Sequence, residues 1–410
     1  MPGIRGKCAL RLGVMAAAVI LVASACGSGD SDDSGGSSTK ARPTAPAPKG
    51  TPIVIGSVGH YSGFAGATSK ASADAVSAWA QWTNDKGGIN GHPVKVVVKD
   101  DQADPSKALA AVKSMVEQDK VIALVGSHEA GLEAVWEKYT TGKGIPVVGG
   151  SSNSAAYETD PLFFPTAQTA ANYVALWANA AKLAGRHQVG AIACAEVPAC
   201  QSMFSLVKRA APAVGVTFAS GLAVSASAPS YTSQCLSLRA KGVDAVITGT
   251  AQEVTTRFIS DCAKQGYKPL FVIPGQSYKP DVAKNPAHEG AYLANDSFNW
   301  FSDDPAAKEF RDTMSIYSPN SPLNASATAG WAAAVMFGKA LATATSAAPT
   351  SADVVKGLLA RPAEDTLNGM IPPTTYREGK PATVAPCGWY AQIKGGKLTA
   401  PHGNKAICLG

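Results

Sequence analysis

Apolar residues follow two alternating patterns along the chain from position 52 onward. Runs rich in β-branched residues predict strands near 53–56, 94–98, 122–125 and 146–148. Between these runs, apolar residues recur at helical spacing, as Ala71, Ala75 and Trp79 do, and predict helices near 66–85, 104–117 and 130–141. The alternation restarts after Phe164, with strands near 189–193, 216–220, 245–248 and 270–273, and helices near 169–184, 202–213, 231–240 and 254–265.

This alternation predicts the fold class. Strands separated by helices of about ten or more residues form βαβ units with parallel sheets and right-handed crossovers. Two such runs, each with about four strands, predict an α/β protein with two lobes. The tail differs, because helical patterns near 305–317, 325–343 and 352–359 are followed by short strands around 389–394.

The first 25 residues have the order of an export signal. Arg5, Lys7 and Arg11 precede an apolar run at 12–22, and small residues follow at 23–25, which together predict a secretory signal peptide. Because small residues directly precede Cys26, the site resembles a bacterial lipobox, and Cys26 is the predicted lipidation site. The alternative is an ordinary secretion signal with an incidental cysteine. Residues 26–51 are rich in Gly, Ser, Asp and Pro and are predicted to form a flexible tether.

Composition and charge narrow the possible functions. The chain has 410 residues, of which 46% are hydrophobic, and this excludes wholesale disorder. Its net charge is +6, and the three basic residues near the N-terminus supply half of that excess. The remainder contains no basic block, so the sequence has no electrostatic footprint for nucleic acid.

Cysteine use favours an oxidising compartment. Six cysteines lie outside the export region: Cys194, Cys200, Cys235, Cys262, Cys387 and Cys408. Their spacing does not decide the connectivity, but sequential pairing closes three short loops and is the economical prediction. A zinc site would need closely spaced cysteine pairs or clustered histidines, and the six histidines are scattered. Disulfides are therefore favoured over a metal site.

An ordered series of segments resembles a known family. The segments read IVIG and YSGFAG at 53–66, NDKGGINGH at 84–92, DDQADP at 100–105, ALVG at 123–126 and GIPVV at 144–148. Together they resemble the branched-chain amino acid (Leu/Ile/Val) binding protein family, the type I periplasmic solute-binding proteins of ABC transporters. The resemblance extends from about residue 52 to about 395.

The resemblance implies an architecture and a function. It implies two Rossmann-like lobes joined by a three-crossing hinge, with lobe one at 52–165 plus 295–370 and lobe two at 166–294 plus 371–410. It also implies an extracytoplasmic, membrane-anchored monomer that captures a small polar molecule between its lobes and delivers it to an ABC permease. No cofactor is expected. A sensor that presents its ligand to a signalling receptor is the alternative with the same fold.

The loops that follow the predicted strands supply the candidate ligand-binding residues, because open α/β sheets bind ligands at the carboxyl ends of their strands. These candidates are Tyr61, Phe64, His128, Glu129, Ala130, Ser151, Ser152, Asn153, Gln252, Gln276 and Tyr278. In the family, a hydroxyl residue follows the third strand, and Ala130 aligns there. The family also has an acidic residue in lobe two that takes the ligand ammonium, and no carboxylate aligns with it. A buried ammonium without a counter-ion is costly, so we predict a neutral amide-bearing or aromatic solute rather than an α-amino acid.

Several candidates have alternative interpretations. Tyr61 and Phe64 could form an aromatic wall or simply pack the loop. His128 and Glu129 could meet a polar ligand or form a solvated pair. Asp100, Asp101 and Asp104 resemble a metal cluster, but the interpretation as a strand end followed by a helix cap, with a proline after Asp104, is favoured.

Sequence motifs argue against an enzyme. The chain contains no G-x-S-x-G, and its two His-Glu pairs lack the second histidine of H-E-x-x-H. No Walker loop or G-x-G-x-x-G follows a predicted strand. A secreted hydrolase with a dispersed site is the remaining enzymatic alternative, since catalytic triads need only spatial proximity.

Overall fold

A computed structural model of the protein describes residues 42–63, 66–129, 131–152, 154–196 and 198–409. The first lobe is built on five parallel strands in the order β2-β1-β3-β4-β5. These strands are β1 (Ile53–Gly59), β2 (Val94–Asp100), β3 (Ala123–Val125), β4 (Val147–Val148) and β5 (Phe163–Phe164).

Helices cover both faces of this sheet. They are α1 (Gly66–Asp85), α2 (Pro105–Glu117), α3 (Glu137–Gly142) and α4 (Ala156–Thr159). The buried residues of α2 are Ala108, Val112 and Met115, which share one helical face and pack against the sheet. The helix predicted at 130–141 is wrong in part, because the chain forms a 3₁₀ turn at Leu132–Val135 before α3 begins.

The second lobe repeats the same plan. Its strands β6 (Gln188–Cys194), β7 (Thr217–Val224), β8 (Ala245–Gly249), β9 (Leu270–Pro274) and β10 (Tyr292–Asn295) are parallel and lie in the order β7-β6-β8-β9-β10. Its helices are α5 (Ala170–Leu183), α6 (Pro198–Ala210), α7 (Thr232–Ala240) and α8 (Gln252–Lys264). Each lobe therefore has five parallel strands instead of the four expected. The additional strands β5 and β10 contain no β-branched residue and so lack the signal that predicted the others.

The tail contributes to both lobes. Helices α9 (Pro305–Tyr317), α10 (Ala325–Leu341) and α11 (Ser351–Leu359) join the first lobe, where α9 and α10 pack on α1. A hairpin of β11 (Thr374–Arg377) and β12 (Lys380–Val384) follows. The strand β13 (Cys387–Lys394) then extends the second sheet antiparallel to β10. Both β14 (Lys397–Thr399) and β15 (Ile407–Cys408) pair antiparallel with β13.

Three segments connect the lobes, as a three-crossing hinge requires. They are residues 165–169, 296–304 and 360–386. The Tyr376 hydroxyl donates to the Pro165 carbonyl at 2.7 Å, and Gln168 Nε2 donates to the Cys387 carbonyl at 2.8 Å. Phe298 N in the middle segment donates to the Met370 carbonyl at 3.2 Å, so all three segments are linked, and the predicted fold class is confirmed.

The six cysteines form three sequential disulfides, as predicted. Cys194–Cys200 joins the end of β6 to α6, Cys235–Cys262 joins α7 to α8, and Cys387–Cys408 joins β13 to β15. All three therefore lie in the second lobe. Among the described residues, no helix is both long and apolar enough to cross a membrane.

Residues 42–51, at the end of the predicted tether, lie against the first lobe. Ala45 N donates to the Asp85 carbonyl at 3.0 Å, and Gly50 N donates to the Gly91 carbonyl at 2.8 Å. The Arg42 guanidinium lies 5.0 Å from the centre of the Tyr317 ring. The predicted signal peptide, Cys26 and tether residues 26–41 lie outside the described part of the chain.

The three aspartates at the end of β2 serve the backbone. Asp100 Oδ1 accepts from Tyr61 N and Gln102 N, and Asp101 Oδ1 accepts from Ala103 N. Asp104 caps α2, accepting from Ser106 N at 2.8 Å and Lys107 N at 3.0 Å. The strand-end and cap interpretation is confirmed, and no group of three or more metal-binding side chains occurs among the described residues.

Replacing this cap should have a modest, local cost. Asp104→Ala is expected to lower the free energy of unfolding by about 1 kcal/mol, because two N–H groups of the first helical turn lose their acceptor. Denaturant unfolding measures the change. Asp303→Ala is the matched control, since Asp303 is exposed and its side chain makes no hydrogen bond to another described residue. An equal loss in both variants would contradict the capping role.

Candidate functional site

The strand order marks the same candidate position for ligand contacts in each lobe. Both sheets run second-first-third-fourth-fifth, so the order reverses between β1 and β3 and again between β6 and β8. In open α/β sheets, ligands bind outside the carboxyl ends of the strands at this point of reversal. The loops after these strands are those that carry the predicted site residues.

Two histidines mark this point in the first lobe. His128 N donates to the Val58 carbonyl at 2.9 Å, which places His128 beside the end of β1. Its ring centre lies 5.4 Å from that of His60, edge to face. Burial lowers the pKa of His128 to about 3, and the pKa of His60 is also lowered by burial. Both imidazoles are therefore neutral at physiological pH.

Glu129 turns inward, away from the loop surface. Glu129 is 1% exposed, and its Oε2 accepts from Trp136 Nε1. Its carboxyl group also lies within hydrogen-bonding range of Asp101, and burial raises its pKa well above the ordinary value. Asp101 Oδ2 and Glu129 Oε1 receive no hydrogen bond from an N–H or hydroxyl group of the described residues. Because burial raises its pKa, the protonated form of Glu129 is favoured beneath the loop.

Glu133 is a third buried carboxyl in the same cluster. Its Oε2 accepts from Gly131 N at 3.0 Å, whereas its Oε1 has no partner among the described residues. Burial raises the pKa of Glu133 to about 7. The predicted pair of His128 and Glu129 is therefore not a solvated loop pair, because it belongs to a buried and largely neutral polar cluster.

Two glycines shape the loop after β4. Gly149 and Gly150 have φ angles of +56° and +92°, which let the chain turn tightly over Ser127. Ser151 N donates to the Ser127 carbonyl at 3.0 Å. Ser151 and Ser152 are fully buried, and Ser152 Oγ has no hydrogen-bond partner among the described residues. This loop thus places a buried hydroxyl next to the third-strand loop.

The second lobe presents amides at its carboxyl edge. Gln252 begins α8, is 4% exposed, and donates from Nε2 to Thr256 Oγ1 at 3.3 Å. Gln252 Oε1 has no partner among the described residues. Gln276 is half-buried, and Tyr278 lies with its ring centre 5.4 Å from that of Trp300.

Sequence reasoning missed one buried carboxylate here. Asp296 directly follows β10, is fully buried, and accepts from Gln276 Nε2 at 2.7 Å through Oδ2. Asp296 Oδ1 has no partner among the described residues, and burial raises the pKa of Asp296 to about 7. The only local signal is a short apolar run at 292–294 that ends in Asn-Asp, and without a β-branched residue it does not predict a strand.

The carboxyl edge of the second lobe lies against the first lobe. The turn Gly275–Ser277, which carries Gln276, contacts both α1 and α10. Asn324, which caps α10, donates from Nδ2 to the Tyr278 carbonyl at 3.5 Å. The loops after β9 therefore lie close to the other lobe.

The remaining predicted site residues divide into two groups. Tyr61 is described, and its hydroxyl lies 2.9 Å from Ser57 Oγ while its side chain is 7% exposed, which favours the loop-packing interpretation. Phe64, Ala130 and Asn153 lie outside the described residues.

A comparison with protein families identifies the fold family. The sequence profile described as periplasmic binding protein matches residues 52–397. The chain belongs to the periplasmic binding protein family. The resemblance noted from the sequence is thereby confirmed, and membership places the protein outside the cytoplasm. Proteins of this family bind solutes.

One curated relative matches over a limited stretch. The chain is 33% identical over 107 residues to an amino acid binding protein of Pseudomonas aeruginosa. The matched stretch covers 26% of this chain and 29% of that protein.

Solved structures share the fold. A branched-chain amino acid ABC transporter protein of Thermus thermophilus with bound valine aligns with a TM-score of 0.74 and 16% identity, covering 88% of this chain and 97% of that chain. A solute-binding protein of R. palustris in complex with benzoate aligns with a TM-score of 0.69 and 18% identity, covering 87% and 97%. A fatty acid ABC transporter substrate-binding protein of Thermomonospora curvata aligns with a TM-score of 0.69 and 19% identity, covering 89% of this chain and 94% of that chain. At these identities the likeness concerns the fold.

Proposed function

We propose that this periplasmic binding protein captures a small polar molecule between its two lobes and delivers it to an ABC permease. In this proposal, residues 1–25 direct export, Cys26 carries the lipid anchor, and 26–51 tether a monomer to the cell membrane. The lobes divide at 52–165 plus 295–370 and at 166–294 plus 371–410. In this proposal the solute is bound and released unchanged. Ligand contacts with both lobes favour closure of the lobes around it.

Buried polar atoms at both carboxyl edges support this proposal. Ser152 Oγ in the first lobe and Gln252 Oε1 and Asp296 Oδ1 in the second lobe lack partners among the described residues. Their side chains are at most 4% exposed. Buried polar groups are normally hydrogen-bonded, since an unsatisfied one costs about 1–3 kcal/mol. A polar solute held between the edges supplies such bonds.

The charge of the site supports a neutral solute. His60 and His128 are neutral because burial lowers their pKa values. Burial raises the pKa of Glu129 well above its ordinary value, so its protonated form is favoured, and it raises the pKa of Asp296 to about 7, so Asp296 is only partly ionised at neutral pH. We infer an amide-bearing or aromatic small molecule, because a zwitterion would need fully charged partners on both sides.

A thermal-shift screen against amino acids, amides, ureas and aromatic acids tests the proposal. A solute present at about a hundredfold its Kd should add about 2.7 kcal/mol of stability. Chromatography of the recovered solute checks for turnover, since a receptor returns it unchanged and a hydrolase does not. No shift with any class would contradict capture, whereas shifts with leucine and valine alone would contradict only the neutral-solute inference.

Replacing the Ser152 hydroxyl tests where the solute binds. Ser152→Ala should weaken binding of the solute found in the screen about fivefold, because one hydrogen bond contributes about 1 kcal/mol. Ser154→Ala is the matched control, since Ser154 Oγ already accepts from Ala156 N at 3.3 Å within its own loop. Titration calorimetry compares the two variants. Equal affinities in both would place the solute elsewhere.

A further inference from the structure

A cavity of about 310 Å³ lies at the opposite edge of the second sheet. It is bounded by the end of α8, by the first residues of β9 and by the segment that leads into β10. The carboxyl-edge loops described above follow the other ends of these strands. Since β9 has five residues, the two edges are roughly 15 Å apart. The cavity is therefore separate from the space between the lobes.

The floor of this cavity is apolar. Ile259, Tyr267 and Phe271 line it and are 1%, 7% and 6% exposed. The Tyr267 hydroxyl donates to the Val243 carbonyl at 2.8 Å, so its polar end is occupied elsewhere and its ring remains as a wall. A small apolar group can be buried on this floor without leaving a polar atom unsatisfied.

The rim carries two cations without partners. Arg186, before β6, and Lys268, before β9, both line the cavity and are exposed. Neither side chain makes a hydrogen bond or an ion pair with another described residue. The one carboxylate in the lining, Glu289, accepts from Gly395 N at 3.1 Å with each oxygen and is thus held against the turn between β13 and β14. The rim therefore has a net positive charge.

We propose that this cavity is a second binding site, specific for a small organic anion with an apolar body, such as an arylalkyl carboxylate. The apolar body packs on Ile259 and Phe271. The carboxylate meets the guanidinium of Arg186, whose planar fork suits a carboxylate, and the ammonium of Lys268. A cavity of this volume is at the lower end for ligand sites, so the occupant is small. This site goes beyond the proposed capture between the lobes.

Titration calorimetry with 3-phenylpropionate tests the proposal on the mature protein. Wild-type protein should bind this anion and should bind the neutral 3-phenylpropan-1-ol at least tenfold more weakly, since the alcohol lacks charge-assisted hydrogen bonds. The double variant Arg186→Gln with Lys268→Gln should bind 3-phenylpropionate at least tenfold more weakly than the wild type does. The matched control is Lys380→Gln with Lys405→Gln, which removes two exposed charges elsewhere and should leave binding unchanged.

A second variant and a competition locate the anion. Ala263→Phe fills the cavity from α8 and should abolish binding of 3-phenylpropionate, while Ser152→Ala should leave it unchanged. Capture of a solute between the lobes is measured separately and should be unaffected by Ala263→Phe, so the two proposals can fail independently. Absence of binding by the wild type, survival of binding in the double Gln variant, or loss of binding in Ser152→Ala would each overturn the second site.

Discussion

Replacing Gly150 by alanine is expected to lower the free energy of unfolding by about 4 kcal/mol and to abolish solute binding. A Cβ atom at this position would lie 2.1 Å from Ser127 O and 2.7 Å from Ser127 N, and backbone atoms cannot yield as a flexible side chain can. The φ of +92° adds strain for any residue with a Cβ. Overpacking contributes about 1–3 kcal/mol and the strained backbone about 1–2 kcal/mol. Denaturant unfolding and titration calorimetry measure the two effects.

Gly131→Ala is the matched control for this prediction. Gly131 has a φ of +101°, close to that of Gly150, but nothing lies within 4 Å of the position that a Cβ would take. Its replacement should therefore cost only the backbone strain of about 1–2 kcal/mol. Similar losses in the two variants would mean that the contact between the third-strand and fourth-strand loops does not determine the difference.

Raising the pH from 4 to 8 is expected to remove about 3 kcal/mol of stability through Glu133 alone. Burial raises the pKa of Glu133 from 4.5 to about 7 in the folded protein. The folded state therefore binds this proton more tightly than the unfolded state does. The contribution is complete below pH 4.5 and is lost as the pH rises through 7. Each pKa unit corresponds to about 1.4 kcal/mol, which gives the expected magnitude.

The comparison with Glu133→Gln isolates this effect. Glu129 and Asp296 titrate in the same direction because burial raises their pKa values too, so the wild-type slope contains all three groups. Between pH 4.5 and 7, the glutamine variant should lose about 3 kcal/mol less of its free energy of unfolding than the wild type loses. Glu309→Gln is the control, since Glu309 is exposed. Parallel pH profiles for the wild type and Glu133→Gln would show that Glu133 does not bind the proton.

Local sequence patterns predicted much of the fold. The β-branched runs and the helical spacing predicted eight strands that the structure contains, and the Asp104–Pro105 start of α2 was located correctly. The tail helices were also found within a few residues. The helices were predicted because their apolar period extends over several turns, and the strands because they contain β-branched residues. The strands β5 and β10 were not predicted, since they contain no β-branched residue.

The candidate site was predicted only in outline. The loops after β3, β4, β8 and β9 were located, because a loop that follows a parallel strand must lie at the carboxyl edge. The orientation of Glu129 was not predictable from the sequence. It depends on the Trp136 indole and the Asp101 carboxyl, which only the tertiary fold brings next to the Glu129 side chain. Asp296 was not predicted as a site residue, because the strand β10 that precedes it was not predicted.

The sequence by itself determined the alternation of strands and helices and the two-lobed α/β class, and it favoured the sequential disulfide pairing without deciding it. Tertiary structure decided which polar groups are buried together. Gln276 and Asp296 are 20 residues apart, and Gln168 and Cys387 are 219 apart, yet each pair is joined by a hydrogen bond. Local periodicity reports only neighbours within a turn or a strand. The charge state of a buried carboxyl depends on desolvation by the whole fold, which no local pattern contains.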